Sequence, residues 1–218
     1  MSGIGILLLL IITAALPVII VFIWFKAARS PITLPWFLAS LAAGIVSLLA
    51  AILIQRLFPP PSTDGLWAIL FGIFIRVALV EEASRLVGLV ILLNVIKRCR
   101  KMDVSFGAAV GFISGLGFAL MESAFYGISD IGIILLRAVT AAPLHAACGI
   151  RVSVAFLAIR EQPTRALFLF ISAVLIHGAY NLMIVSPALP SVLAIPIALA
   201  ALFASIHYFT KPSGEADR

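Results

Sequence analysis

The sequence predicts an all-α protein, a polytopic membrane helix bundle of about seven transmembrane helices. Of its 218 residues, 63% are hydrophobic and 11% are charged, and the mean hydropathy is +1.23, well outside the range of soluble domains. The apolar residues form runs of about 20, the length at which a helix crosses a bilayer. Short loops marked by proline and glycine separate the runs, so residues 1–218 are expected to form a single transmembrane domain.

Hydropathy divides the chain into seven candidate spans. They cover residues 4–25, 34–57, 66–96, 106–127, 131–159, 166–185 and 192–209. The first run has no basic segment before it and is followed by Lys26 and Arg29. This order of charges is the reverse of that in a cleavable signal peptide, so the run is expected to remain as the first span.

The basic residues between the runs predict the orientation, because short cytoplasmic loops collect lysine and arginine. If the loops alternate sides, one side holds Arg56 alone and the other holds Lys26, Arg29, Lys97, Arg98, Arg100, Lys101, Arg160, Arg165, Lys211 and Arg218. The N-terminus is therefore predicted to lie outside and the C-terminus in the cytoplasm. The expected location is a cell membrane (inner or plasma membrane), which the chain crosses several times.

The formal net charge of +6 is spread over these loops and does not form a basic face. A nucleic-acid-binding surface needs such a face, so no nucleic-acid partner is expected. The expected partner of the apolar runs is the lipid bilayer. The two cysteines, Cys99 in a basic loop and Cys148 in an apolar run, are expected at different depths and cannot form a disulfide framework.

Two adjacent carboxylates, Glu81 and Glu82, lie near the middle of the run 66–96. An ionised group at the bilayer centre costs about 2.5 to 3.5 kcal/mol on insertion scales, so such a pair indicates a function. Arg85 lies one helical turn later and can neutralise one of the two acids. We interpret this segment as one part of an active site.

Three other runs also carry polar side chains at depth: Glu122 in the fourth, His145 in the fifth, and His177 with Asn181 in the sixth. The fourth run contains a ladder of small residues from Gly107 to Gly117, and Gly111 and Gly115 share a helix face with Glu122, which would press it against a neighbouring helix. Each polar residue alone could be an interhelical hydrogen-bonding group. Their joint presence favours a functional site.

Two hydrolytic chemistries fit this set of residues. In one, a carboxylate shielded from bulk water is the general base toward a bound water, and a histidine or Asn181 donates to the oxyanion of the amide. In the other, glutamate and histidine bind a zinc ion that activates the water, and a second glutamate is the base. The runs contain no aspartate and no His-Glu-x-x-His motif, and Ser114 lacks Gly-x-Ser-Gly spacing.

Four motifs occur in a fixed order: Glu81-Glu82-x-x-Arg85, Gly115-x6-Glu122-Ser123, Arg137-x5-Pro143-Leu-His145-x3-Gly149, and His177-Gly-x-x-Asn181. This order resembles the PrsW-type intramembrane proteases, part of the wider group that includes CAAX prenyl endopeptidases and bacteriocin-immunity proteins. The resemblance covers about residues 66–185, the expected catalytic core. It implies an intramembrane endopeptidase that cleaves a membrane-anchored protein, such as an anti-sigma factor, and this substrate is the expected protein partner.

The resemblance also implies roles by position. The catalytic residues would be Glu81, Glu82, Glu122, His145 and His177, with Arg85 and Asn181 in support. A zinc ion, if one is used, would take its ligands from Glu82, Glu122, His145 and His177, and a metal-free glutamate mechanism is equally open. The chain departs from PrsW relatives at Arg85, where they usually have lysine, and at Ser123, where they usually have asparagine.

Two other functions would use the same residues. A proton-coupled transporter could relay protons through the acids, but it usually has an internal repeat, and no two halves of this sequence match. A non-catalytic membrane scaffold of the same fold is compatible with the departure at Ser123.

Overall fold

A computed structural model describes residues 3–28, 30–58, 65–126, 131–186 and 191–209, and the secondary structure in them is helical throughout. The α-helices are α1 (Gly3–Ala27), α2 (Leu34–Arg56), α3 (Leu66–Leu70), α4 (Val80–Cys99), α5 (Val104–Tyr126), α6 (Ile131–Val139), α7 (Ala141–Ala158), α8 (Pro163–Val185) and α9 (Ala194–Ile206). A π-helix, Phe71–Leu79, joins α3 to α4, and 3-10 turns at Ser191–Leu193 and His207–Phe209 flank α9. The predicted all-α class is confirmed.

Among the described residues, four helices are long and apolar enough to cross a membrane: α2, α5, α8 and the region Ile134–Ala158. The segments Ile12–Ala27 and Ala194–Phe209 are shorter apolar helices. These helices support a multi-pass membrane bundle, whereas the count of seven spans stays a prediction. Of the basic residues that predict the orientation, Arg29, Lys211 and Arg218 lie outside the described residues.

Helices α5 and α7 form the centre of the bundle. Helix α5 packs against α7 and α2, while α7 also packs against α8, α9 and α4. The most apolar part of α5 is 78% buried and that of Ile134–Ala158 is 72% buried, compared with 33% for both α2 and α8. The outer helices therefore present most of their apolar surface to lipid, whereas α5 and α7 are covered by the helices around them.

Glycines set the distance between α5 and α7. A Cβ at Gly111 would collide with the carbonyl of Gly149, and a Cβ at Gly115 would collide with the backbone of His145 and Ala146. The ladder of small residues predicted in the fourth run therefore forms a close helix contact. Because Glu122 lies two turns after Gly115 on the same face, this contact brings it toward His145.

The predicted run 131–159 is interrupted at Thr140, where α6 ends and α7 begins. Pro143 explains the interruption, because it has no N–H to donate to the carbonyl four residues earlier. The Thr140 hydroxyl donates to the Leu136 carbonyl (2.8 Å) and accepts from the hydroxyl of Tyr180 on α8 (3.0 Å). Helix α7 thus begins one turn before His145.

The run 66–96 also differs from a plain helix, since the nine residues before Val80 form a π-helix. A π-helix widens the turn and is frequent at functional sites. Arg76 lies within it and donates to the carbonyls of Gln55 (3.0 Å) and Phe58 (3.2 Å) at the end of α2. This intramembrane arginine therefore caps a helix, with its positive charge at the negative end of the α2 dipole.

The Gly115→Ala substitution is expected to destabilise the protein by about 1 to 3 kcal/mol, the usual cost of overpacking. The added methyl group would meet the backbone of α7, which cannot rotate away. Gly107→Ala is the matched control on the same helix, because its methyl group would meet the flexible end of Leu157. Thermal unfolding in detergent compares the two variants, and equal midpoints would contradict this prediction.

Candidate active site

Four helices bring the five predicted catalytic residues into one buried network. Glu81 and Glu82 come from α4, Glu122 from α5, His145 from α7 and His177 from α8. Two arginines complete the network, and the side chains contact each other in the order Glu81, His177, Glu82, Arg85, His145, Glu122, Arg137. Glu82 and Glu122 each contact one histidine and one arginine, so their charges are paired with a guanidinium group at contact distance.

Glu82 has both carboxylate oxygens engaged. Oε1 lies 2.7 Å from Nδ1 of His177, and Oε2 forms an ion pair with the Arg85 guanidinium. Glu82 and Arg85 are both completely buried. The predicted neutralisation of one acid by Arg85 is confirmed for Glu82, at the i, i+3 spacing within α4.

The hydrogen-bond partners of His145 define its tautomer. Arg85 donates to Nδ1 over 3.0 Å, and because a guanidinium has only donors, Nδ1 must be an acceptor. The proton of the neutral ring is therefore on Nε2, which donates to Oε2 of Glu122 over 2.7 Å. The ring of Phe118 lies 4.9 Å from the His145 ring and 4.3 Å from the Arg85 guanidinium, so it covers one side of both groups.

Glu122 is the most exposed of the three acids in the network, and its Oε2 contacts both His145 and Arg137. Its Oε2 lies 2.6 Å from Arg137, whose Nε donates to the Ser123 hydroxyl over 3.2 Å. The Glu122 side chain is 16% exposed, compared with none for Glu82. Ser123, where the resemblance leads one to expect asparagine, thus has a partner in this chain.

Glu81 is bound differently from its neighbour Glu82. Its Oε1 accepts a hydrogen bond from Gln55 on α2 over 3.3 Å. Its Oε2 is buried and has no hydrogen-bond partner within the part of the chain that the structure describes. Nε2 of His177 lies 3.6 Å from Oε2, beyond hydrogen-bonding distance. One carboxylate oxygen of the site is therefore left without a partner among the described residues.

Asn181 does not join this network. It is half-buried in α8, and no hydrogen bond links its side chain to the other described residues. The spacing of four residues places it on the His177 face of α8, as predicted. Its supporting role stays a prediction.

Three contact residues were missed as site residues from the sequence. Arg137 begins the motif that contains His145, and it is a charged residue in an apolar run. Both features could have identified it as a site residue. Gln55 and Phe118 carried no such signal, because a glutamine at the end of an apolar run and a phenylalanine within one have ordinary explanations.

The residue types of the site fit a zinc ion. In the described residues, Glu82, His145 and His177 offer ligand atoms that all lie within 4.8 Å of one another, and two histidines with one glutamate are a known set of catalytic zinc ligands. Their arrangement does not fit, because Arg85 engages Oε2 of Glu82 and the Nδ1 lone pair of His145. A metal ion would have to displace a fixed positive charge from two of its three ligands.

The sequence matches the family model described as PrsW family intramembrane metalloprotease over residues 31–207. The chain belongs to the PrsW family. This assignment confirms the resemblance and identifies the PrsW-family chain as a membrane-embedded protease, a hydrolase. No curated protein and no solved structure matches the chain. The match includes every residue of the network described above, and Arg85 sets the PrsW-family site apart from an open zinc site.

In this PrsW-family protein, Glu82→Gln is expected to lower the free energy of unfolding by about 3 to 5 kcal/mol, the cost of leaving a buried charge unpaired. The unpaired charge would be that of Arg85. Glu81→Gln is the matched control with the same loss of charge, and a small change is expected because Glu81 has no direct cation partner of this kind. Unfolding in mixed micelles with increasing SDS measures both variants, and equal losses would contradict the distinction.

Proposed function

We propose that this protein is an intramembrane endopeptidase that cleaves a membrane-anchored protein, such as an anti-sigma factor, with water activated by Glu81 and His177. The observation that carries the proposal is the Oε2 atom of Glu81, which is buried without a hydrogen-bond partner among the described residues. It lies 3.6 Å from Nε2 of His177. One water can donate a hydrogen bond to each of these two acceptor atoms, which supports its activation at this point.

Glu81 acts as the general base in this proposal. It removes a proton from the water as the water oxygen bonds to the carbonyl carbon of the substrate amide. It then returns that proton to the amide nitrogen as the C–N bond breaks, so the two products are a carboxylic acid and an amine. Glu82 and Glu122 are less suited to this role, because they are already bound to Arg85 and Arg137.

His177 positions the water, and Glu82 positions His177. The hydrogen bond from Nδ1 to Oε1 of Glu82 (2.7 Å) leaves Nε2 directed at Glu81. This use of a buried carboxylate to orient a histidine follows the logic of hydrolytic triads. Asn181 is our candidate donor to the oxyanion, since it shares the face of His177 and its amide is not engaged with the rest of the described chain.

The proposed topology has seven transmembrane helices, with the N-terminus outside and the C-terminus in the cytoplasm. Counted at 1.5 Å per residue, the network lies roughly 20 to 27 Å from the ends of α4, α5, α7 and α8 that meet at loops 100–103 and 159–162. The hydrocarbon core is about 30 Å thick. If these basic loops are cytoplasmic, the substrate is cleaved in the outer half of the membrane.

Glu81→Gln and His177→Ala are expected to reduce cleavage of a single-span substrate at least about a hundredfold, the usual contribution of a general base. Both variants are expected to remain folded, because neither substitution removes a member of the ion pairs Glu82–Arg85 and Glu122–Arg137. A gel assay with purified protease and substrate in proteoliposomes measures the cleavage.

Two exposed residues provide the matched controls for this assay. Glu161→Gln and His207→Ala repeat the same substitutions away from the network, and both are expected to retain full activity. If Glu81→Gln and His177→Ala also kept full activity, the proposal would be wrong and the non-catalytic scaffold would be favoured.

The two cysteines allow the proposed orientation to be tested in the unmodified protein. Cys99 is exposed next to the basic loop and Cys148 is buried, so a membrane-impermeant maleimide is expected to label Cys99 alone. Labelling is expected in inverted vesicles and not in right-side-out vesicles, because the loop is predicted to be cytoplasmic. Cys99→Ser should remove the signal, and labelling of right-side-out vesicles would reverse the topology.

A further inference from the structure

We propose that Arg85 excludes divalent metal ions from the site, because its guanidinium holds two of the three ligands that such an ion would need. The positive charge between Glu82 and His145 is then that of the Arg85 guanidinium and not that of a metal ion. This inference concerns the site of the proposed function, but it is tested by metal binding and does not depend on proteolysis.

The first step is the contact of Arg85 with possible ligand atoms. The guanidinium pairs with Oε2 of Glu82 and donates to Nδ1 of His145. A metal ion on His145 would need the same Nδ1 lone pair, because Nε2 carries the proton given to Glu122. Metal and guanidinium therefore compete for one atom of His145 and for the carboxylate of Glu82.

The second step is that Arg85 has no open path away from the site. Its side chain is completely buried, and the Phe118 ring lies 4.3 Å from its guanidinium. The backbone of Arg85 is one turn after Glu82 in α4, so the pair is formed within one helix. Moving the guanidinium would place an unpaired charge in an apolar interior, which is strongly unfavourable.

The third step is electrostatic. A guanidinium stays protonated at any ordinary pH, so its charge cannot be removed to admit an ion. A divalent cation bound beside it would be repelled at short range in a low-dielectric interior. Without Arg85, the same three residues would form a two-histidine, one-carboxylate set that suits zinc or cobalt.

The test compares Co²⁺ binding by purified wild type and Arg85→Gln in detergent, followed by visible absorption and by metal analysis after dialysis. We expect no stoichiometric binding by the wild type and at least about a hundredfold tighter binding by Arg85→Gln, because one adjacent positive charge is removed. The double variant Arg85→Gln, His145→Ala should lose the gain, which would assign the ion to these ligands.

Arg137→Gln is the matched control, because it removes the same charge from the neighbouring Glu122 and leaves Arg85 in position. It should bind no more Co²⁺ than the wild type. An equal gain in both arginine variants would overturn the proposal, since the effect would then be one of overall charge.

The wild-type protein alone also decides the question if Arg85→Gln cannot be purified. One zinc ion per chain that resists dialysis against a chelator would overturn the proposal. Zinc-free protein that gains no thermal stability from added Zn²⁺ would support it, because a site with free ligands is stabilised by its metal.

Discussion

The ion pair between Glu82 and Arg85 is the interaction on which the rest of the site depends. Both side chains are completely buried in a bundle whose outer helices face lipid, so no water can compensate either charge. The pair is also extended at both ends, to His177 on α8 and to His145 on α7. One local salt bridge within α4 therefore fixes the positions of two histidines from different helices, and their second ring nitrogens then face Glu81 and Glu122.

Such a network requires helices that approach closely and end at defined places. The absence of side chains at Gly111 and Gly115 brings α7 against α5, which makes the contact between Glu122 and His145 short. Pro143 separates α6 from α7, and Arg137 at the end of α6 is then free to reach Glu122 from a different direction. Packing and electrostatics are thus coupled. An added methyl group that pushed α7 away from α5 would disturb the contact between Glu122 and His145 as well as the close helix packing.

The sequence predicted the fold class, the apolar runs and the five network acids and histidines, because charges in apolar runs stand out against their surroundings. It also predicted that Arg85 neutralises one of the acids, since that contact is local in α4. It could not predict that Arg85 also contacts His145, sixty residues later, because that contact depends on how α4 packs against α7. The π-helix before Val80 and the contact of Gln55 with Glu81 have the same origin in tertiary packing.

The two adjacent glutamates illustrate why neighbouring acids in a membrane helix need not share a role. Consecutive side chains on a helix point about 100° apart, so each meets different helices. Glu82 points to Arg85 and His177 and its charge is fully used in holding the bundle together. Glu81 points to Gln55 and His177, which leaves one oxygen without a partner among the described residues. A doublet of acids therefore lets one residue maintain the structure of the site while the other keeps an unpartnered oxygen, the atom that our proposal makes the general base, which a single glutamate bound on both oxygens could not provide.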